Sequence, residues 1–498
     1  MIDSKQFIIM DVPFEKEDFL HVSLSNGKIL SYHKELHIEI VKDETGNGKI
    51  CLLGWAFQCE EKRKDPIEEI RQAQESENLE EILDTWSGRW LLIYEDSVYL
   101  DACGLFGCFY TKDGILSSSL NCINQALKRK NVRPGIRHGF GLDYYPGMKT
   151  VYPDVMRLMP SQIYDLKSNS CRHRNLILGE QKFADDEQRL DAVIGYFRTI
   201  LKNLARTYPG QIMLPLTGGY DSRTMLALLE YSGISYSAFT MEHDNISQLD
   251  MEAPPALSQL VGKEYQYIRR GQKPSSRRLK AYDLHCGGMA SDEDRNFYAC
   301  DQYPHGNGEN VAVLRAGVWE CAYYTLYNWV EKSGFQISRY KKKYVNVRCR
   351  KDISDSLEAY FEFVQTDEQK MKWPVRFYRE QRMGCWLSGV EQSLTLIDNM
   401  DSLQLCNCGR ILEILAQLDL GLLVGKKHEI RIIEKICPQL LDVTLQNKEN
   451  KFKKSSFRGN LKKDLEYFSG CRQCLGWKDG IKESLCFIKK KGKKRKII

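Results

Sequence analysis

Apolar and polar positions change their spacing partway along the chain, and the change divides it. The first part has a period of two. LHIEIVKDETGNGKICLLGWAF alternates on either side of Thr45-Gly46-Asn47-Gly48, which is the chemistry of a hairpin turn. GRWLLIYEDSVYLDACGLFGCFYTKDGILSSSL adds three or four short strands, with turns at Glu95-Asp96 and Lys112-Asp113-Gly114. A polar stretch, KSNSCRHRN, ends near Asn175, and the period then lengthens. In DEQRLDAVIGYFRTILKNLARTY the residues Leu190, Val193, Ile194, Phe197, Ile200, Leu201 and Leu204 share one helical face. A strand from Ile212 to Leu216 follows, then a turn, a helix and a second strand, YSAFTM. Strand, helix, strand at this spacing predicts a parallel α/β unit. From about Phe361 the pattern is mostly helical, and no internal repeat is visible.

Length and composition sharpen this picture. At 498 residues the chain exceeds one core and predicts two domains with a C-terminal extension. No apolar run approaches the roughly 20 residues of a membrane helix, and MIDSKQFIIMDVPFEKEDF lacks the basic start of a secretion signal. Seventeen cysteines without such a signal fit a reducing compartment, so the expectation is a cytoplasmic protein. The net charge of +6 comes from the tail: setting aside the seven basic residues between Lys489 and Lys496 leaves −1. That balance argues against a nucleic-acid partner. The tail and the block Lys341–Lys343 read as solvated.

The candidate chemistry sits in IMLPLTGGYDSRTMLALL, Ile212 to Leu229. At a strand-to-helix junction the first helical amides lack internal partners and face outward at the positive end of the dipole. Gly218 and Gly219 carry no β-carbon, so an anion can approach those amides, and Thr217 and Ser222 add hydroxyls. Asp221 would repel phosphate unless magnesium sat between them. The motif lacks a Gly-Lys-Ser/Thr ending, so it is not the common nucleotide-binding P-loop.

Thr-Gly-Gly-Tyr-Asp-Ser resembles the Ser-Gly-Gly-x-Asp-Ser pyrophosphatase loop of the asparagine synthetase family, whose relatives include β-lactam synthetase and the lasso-peptide cyclases. SGRWLLIYEDSVYLDACGLFGCFY is similar to that family's N-terminal domain, with Asp101, Gly104 and Tyr110 at matching positions, and GMKTVYPDVMRLMPSQIYDL resembles the segment that closes it. Downstream, Asp250, Met251 and Glu252 fall where the family has an acidic pair. The fold implied is mixed α/β and α+β. A glutaminase-like αββα domain of the Ntn-hydrolase type spans 1–175. A PP-loop (adenine nucleotide α-hydrolase-like) parallel α/β synthetase domain with a helical C-terminal part spans 185–460, and an extension with the basic tail spans 461–498.

The resemblance implies ATP and Mg2+. Adenine would lie against backbone near Leu216 and Met241, pyrophosphate in the nest of Thr217, Gly218, Gly219, Asp221 and Ser222, and magnesium partly on Asp221. AMP would be attached to a substrate carboxylate, and an amine or ammonia would then attack the acyl carbon. The carboxylate would belong to a small molecule, a peptide or a glycan; a macrolactam-forming peptide cyclase is one form of this reaction.

Two departures stand out. Glutaminase activity in the family needs a cysteine directly after the initiator methionine, and this chain has Ile2 there, with Cys51 as its earliest cysteine. The N-terminal domain is then a scaffold, or a surface for a carrier, peptide or partner protein. The family's second metal segment finds its nearest match in AVLRAGVWECAYYTLY, where Gly317 and Glu320 fit but the metal-binding Asp position reads Trp319. Glu320 would take over as ligand and catalytic acidic group; otherwise the protein is an inactive nucleotide-binding scaffold. Lys448 is the candidate for the lysine that meets the acyl-adenylate. Cys471 and Cys474 form a C-x-x-C, but Cys406 and Cys408 have the wrong spacing to complete a zinc site and begin a helical pattern, and His243 reads as a loop residue.

Overall fold

The computed structural model describes residues 4–443, apart from 64, 73–78, 130–141, 143, 177–182, 243–245, 270–275, 287–310, 323, 367–370 and 399. The alternating part of the chain forms two six-stranded antiparallel sheets. One has the order β10 (Val155–Arg157), β8 (Phe109–Thr111), β9 (Leu116–Ser117), β1 (Phe7–Met10), β3 (Ile29–His33), β2 (Phe19–Ser23). The other runs β12 (Ser170–His173), β11 (Gln162–Asp165), β7 (Ser97–Leu100), β6 (Trp86–Tyr94), β5 (Gly48–Gln58), β4 (Ile38–Lys42).

Period two decides how they stack. Phe7 and Ile9 of β1 meet Leu53 of β5 and Leu91 and Ile93 of β6 between the sheets. Ile8 points the other way, toward Cys122 on the helix Leu120–Ala126. Trp90 and Leu92 of β6 face outward, onto Ile70 and Ile82 of two short helices. The result is helix, sheet, sheet, helix.

A third sheet is parallel and five-stranded, in the order β15 (Tyr265–Ile268), β14 (Ser237–Met241), β13 (Ile212–Pro215), β16 (Ala312–Leu314), β17 (Asp401–Leu403). The helix Asp186–Thr207 buries all seven apolar residues predicted for its inner face and is capped by Asp185, which accepts from the Gln188 amide. Helices dominate the C-terminal part, and they start earlier than the pattern suggests, at Tyr324–Ser333, Ile337–Lys343 and Lys351–Gln365. Lys341–Lys343 is not simply solvated: the Lys343 ammonium lies 3.6 Å from the Trp329 ring centroid and Lys341 pairs with Glu358. No helix among the described residues is long and apolar enough to cross a membrane.

The antiparallel and parallel regions are welded by buried polar contacts as well as by apolar packing. Asp101 accepts from the amides of Leu105 and Phe106 and from Asn407 Nδ2, while Asn407 accepts from the Cys103 amide. Burial pushes the Asp101 carboxyl above its ordinary range, against the pull of those donors. Lys5 Nζ donates to Asp401 at 2.9 Å, and Tyr208 Oη donates to the other oxygen of that carboxylate at 2.7 Å.

Candidate active site

The parallel sheet reverses its order at β13. The chain moves from β13 out to β14 and β15, then returns to lay β16 on the other side of β13. Loops leaving the carboxyl ends of strands at such a point part to opposite sides and leave a crevice where ligands bind. Thr217–Ser222 follows β13 and Gly317–Ala322 follows β16, so two segments about a hundred residues apart in sequence meet at one crevice.

The two glycines of the turn differ. A β-carbon on Gly218 would sit 2.4 Å from Leu249 Cγ and 3.0 Å from the Leu249 carbonyl oxygen, so close packing alone demands glycine there. Its amide is committed to Asp250 Oδ1 at 2.8 Å, not turned outward as the nest reading expects. Asp250 is held in turn by Ser247, which caps the helix Gln248–Leu260. A β-carbon on Gly219 would meet Thr217 Oγ1 at 3.5 Å, an ordinary contact. Gly219 is also the N-cap of the helix Tyr220–Ser232 and has no side chain to satisfy that helix's first amides. Thr217 is exposed, and its hydroxyl shares a hydrogen bond with Ser222 at 3.0 Å. The Gly218 amide is therefore closed off by Asp250, while the Gly219 amide donates to the exposed Thr217 hydroxyl at 3.3 Å and the helix start beyond it has no side-chain cap, which leaves that end of the bend open.

Leu216 and Met241 lie at the carboxyl ends of neighbouring strands. Leu216 donates its amide to the Phe239 carbonyl, and its own carbonyl accepts from Thr240 Oγ1. Met241 is half-buried opposite Ile268.

Charge collects at the open end. Asp221 Oδ1 accepts from Lys426 Nζ at 2.7 Å, and both side chains are about a third exposed. Glu320 stands on the short helix after β16 and pairs with Arg382 at 3.7 Å. Burial raises the Glu320 carboxyl above its ordinary value; Arg382 opposes that rise and the charge of Asp221 adds to it. Asp221 and Glu320 are thus near enough to feel each other. Arg382 also stacks over Trp386, 3.5 Å from its centroid. Behind them Trp319 is fully buried and stacks on Phe197 at 5.4 Å, so the residue at the expected Asp position belongs to the core. His428 beside it is pushed down to about 4 by burial and stays neutral at pH 7.

Among the described residues no three or more His, Cys, Asp or Glu converge on one point. Two hard carboxylates still fit magnesium, which takes one or two of them and completes its shell with phosphate oxygens and water. They do not fit zinc.

Of the residues expected at the site, Thr217, Gly219, Asp221, Ser222, Gly317 and Glu320 lie at the crevice. Lys448, His243, Cys471 and Cys474 lie outside the described residues. Cys406 and Cys408 are buried, and the Cys408 thiol donates to the Asp84 carbonyl. The sequence reading missed Lys426 and Arg382. The one local signal near Lys426 was Gly425 directly before it, since glycine is the usual left-handed residue at a helix end.

No family model matches the chain, and no curated protein does. Among solved structures, the glutamine-dependent NAD+ synthetase from Acinetobacter baumannii in complex with adenosine diphosphate is similar over 53% of this chain and 56% of that one. The identity is 12% and the TM-score 0.19. The match thus spans about half the length of that synthetase, and a score this low carries no argument about fold or chemistry.

Proposed function

We propose that this protein is an ATP-dependent, AMP-forming carbon–nitrogen ligase of the asparagine synthetase-like class that works without glutaminase activity. It joins a substrate carboxylate to an amine or ammonia. The carrying observation is the placement of Asp221 and Glu320 on the two segments that leave the switch point of the parallel sheet, each paired with a cation, beside a helix N-terminus that glycine leaves without a side-chain cap. The proposed division is a glutaminase-like region 1–175, a synthetase region 185–460 and an extension 461–498.

In this reading the open end of the bend, with Gly219, Thr217 and Ser222, receives the triphosphate. Asp221 and Glu320 would hold magnesium, which when bound screens the phosphates from the two carboxylates and stabilises departing pyrophosphate. Lys426 and Arg382 bring positive charge to the same mouth. Cation donors already aimed where negative charge develops need no reorganisation during reaction. The carboxylate substrate would enter from the Glu320 side, and its amine partner would arrive directly from solvent.

The test is exchange of labelled pyrophosphate into ATP across a panel of carboxylates. Exchange that Asp221→Ala reduces by at least about a hundredfold supports the ligase, the scale of losing a metal-borne transition-state contact. A second reading has its own observation: the Gly218 amide is bonded to Asp250, and Trp319 stands at a metal position. It makes the protein a nucleotide-binding scaffold, and ATP binding by calorimetry without any exchange would establish it.

A further inference from the structure

Lys426 pairs with Asp221 at a cost to its own backbone. It has φ 59°, directly after Gly425 at φ 69°. L-residues other than Asn and Asp seldom adopt this left-handed region, and glycine would occupy it without strain. The strained turn brings its ammonium to 2.7 Å from the Asp221 carboxylate, 205 positions earlier in the chain.

Charge balance then makes the pair informative. Asp221 faces Lys426 and Glu320 faces Arg382, so the mouth of the bend holds two acids and two bases. A divalent cation seated on Asp221 would lie against an ammonium already at hydrogen-bond distance. Like charges at that separation repel strongly wherever water is partly excluded. One of the two cations must leave, and Lys426 is the one with room to move. Its side chain is about a third exposed, whereas Arg382 is about a fifth exposed and stacked over Trp386. A triphosphate in the open end of the bend would give the departing ammonium its next partner.

We infer that Lys426 holds the metal's place on Asp221 and passes to the phosphates when metal and nucleotide arrive together, so that neither binds well alone. This rests on the nucleotide reading of the bend and adds a coupling to it. The ammonium keeps the carboxylate poised and neutralised, and it sets a threshold against divalent cations without ATP.

The experiment measures Mn2+ binding to the full chain by electron paramagnetic resonance, with and without α,β-methylene-ATP. It compares the wild type with Lys426→Met, and with Lys426→Gly, which relieves the left-handed strain and guards against a folding failure. Both variants should bind Mn2+ alone about two- to fivefold more tightly, the range for a partly exposed ion pair. The extra tightening that the nucleotide analogue gives the wild type should shrink by the same factor. Lys426→Arg should restore the wild-type order. Mn2+ affinity without nucleotide that is unchanged or weaker in Met and Gly variants overturns this inference alone, provided metal and analogue still bind together. If no protein takes up Mn2+ even with the analogue present, the nucleotide reading fails and takes this inference with it.

Discussion

Gly218 and Gly219 are adjacent, yet the structure gives them opposite reasons for being glycine, and alanine substitution separates those reasons. In Gly218→Ala the new methyl falls 2.4 Å from Leu249 Cγ and 3.0 Å from the Leu249 carbonyl oxygen. Neither atom is the free end of a side chain, so the helix Gln248–Leu260 has to shift. Overpacking of this kind costs about 1–3 kcal/mol. The shift also strains the 2.8 Å bond from the Gly218 amide to Asp250, a charged hydrogen bond worth about 1.5–3 kcal/mol. A total loss of about 2–4 kcal/mol should appear as a lower urea midpoint at unchanged slope.

Gly219→Ala is the contrast. The residue has φ −75° and ψ 171°, which any residue adopts, and its β-carbon would make one ordinary contact. As an N-cap, alanine loses less than about 1 kcal/mol against glycine. The methyl nonetheless stands where an anion would approach the helix N-terminus. Losing one charged hydrogen bond there should weaken Mg-ATP binding about 10- to 100-fold by calorimetry. The expected pattern is therefore stability lost at 218 and ligand binding lost at 219. If Gly219→Ala bound Mg-ATP as tightly as wild type, the bend would not be the phosphate seat. If Gly218→Ala melted like wild type, the packing account would be wrong.

Other predictions come from the buried charges. Lys5→Met should cost about 3–5 kcal/mol by urea denaturation, because it strands Asp401 with Tyr208 alone, and adding Asp401→Asn should recover part of that loss. His428 has a folded value of about 4, below its ordinary 6.5. A depressed histidine contributes stability that is complete above the ordinary value and lost as pH falls toward the folded one. Wild type should therefore lose about 2–3 kcal/mol between pH 6.5 and 4 that His428→Gln does not, and parallel stability curves would refute that assignment. Pyrophosphate exchange in Asp221→Ala and Mn2+ binding in Lys426→Met test the site itself.

What was legible in the sequence follows from how local each signal is. The antiparallel strands announce themselves because alternate residues of β1 and β6 face different clusters. The bend was legible because Thr217, Gly218, Gly219, Asp221 and Ser222 lie within six positions. The segment Tyr378–Leu387 was not, because it is a π-helix that buries Arg379, Glu380 and Gln381 side by side. Arg379 donates to the Ala102 carbonyl, and Glu380 accepts from Tyr360 and Arg376 and bonds Ser161. Hydrophobic periodicity cannot find a buried face built from Arg, Glu and Gln whose partners lie elsewhere in the chain. Lys426 escaped for the same reason, since nothing near it in sequence says that Asp221 waits across the fold. Nor does the sequence show that Asp250 takes up the Gly218 amide.

Those long-range contacts also show how the N-terminal sheets bear on the crevice. Phe57, Ala102, Cys103 and Leu105 share one hydrophobic cluster with Leu214, Trp319 and Leu403 around the parallel sheet. Phe109, Tyr145, Met148 and Val155 share another with Tyr340, Leu357 and Phe377. Removing the antiparallel half would expose both clusters and leave Asp401, Asn407 and Arg379 without the donors and acceptors they meet there. A buried polar group stripped of its partner costs more than most single contacts contribute. The Arg382–Glu320 pair shows how this reaches the site: Arg382 stands three residues beyond Arg379 on the same π-helix, and Arg379 is anchored to the N-terminal Ala102 carbonyl. The N-terminal sheets fix the helix that positions Arg382 on Glu320. The crevice is built against them, whether or not they ever meet a substrate.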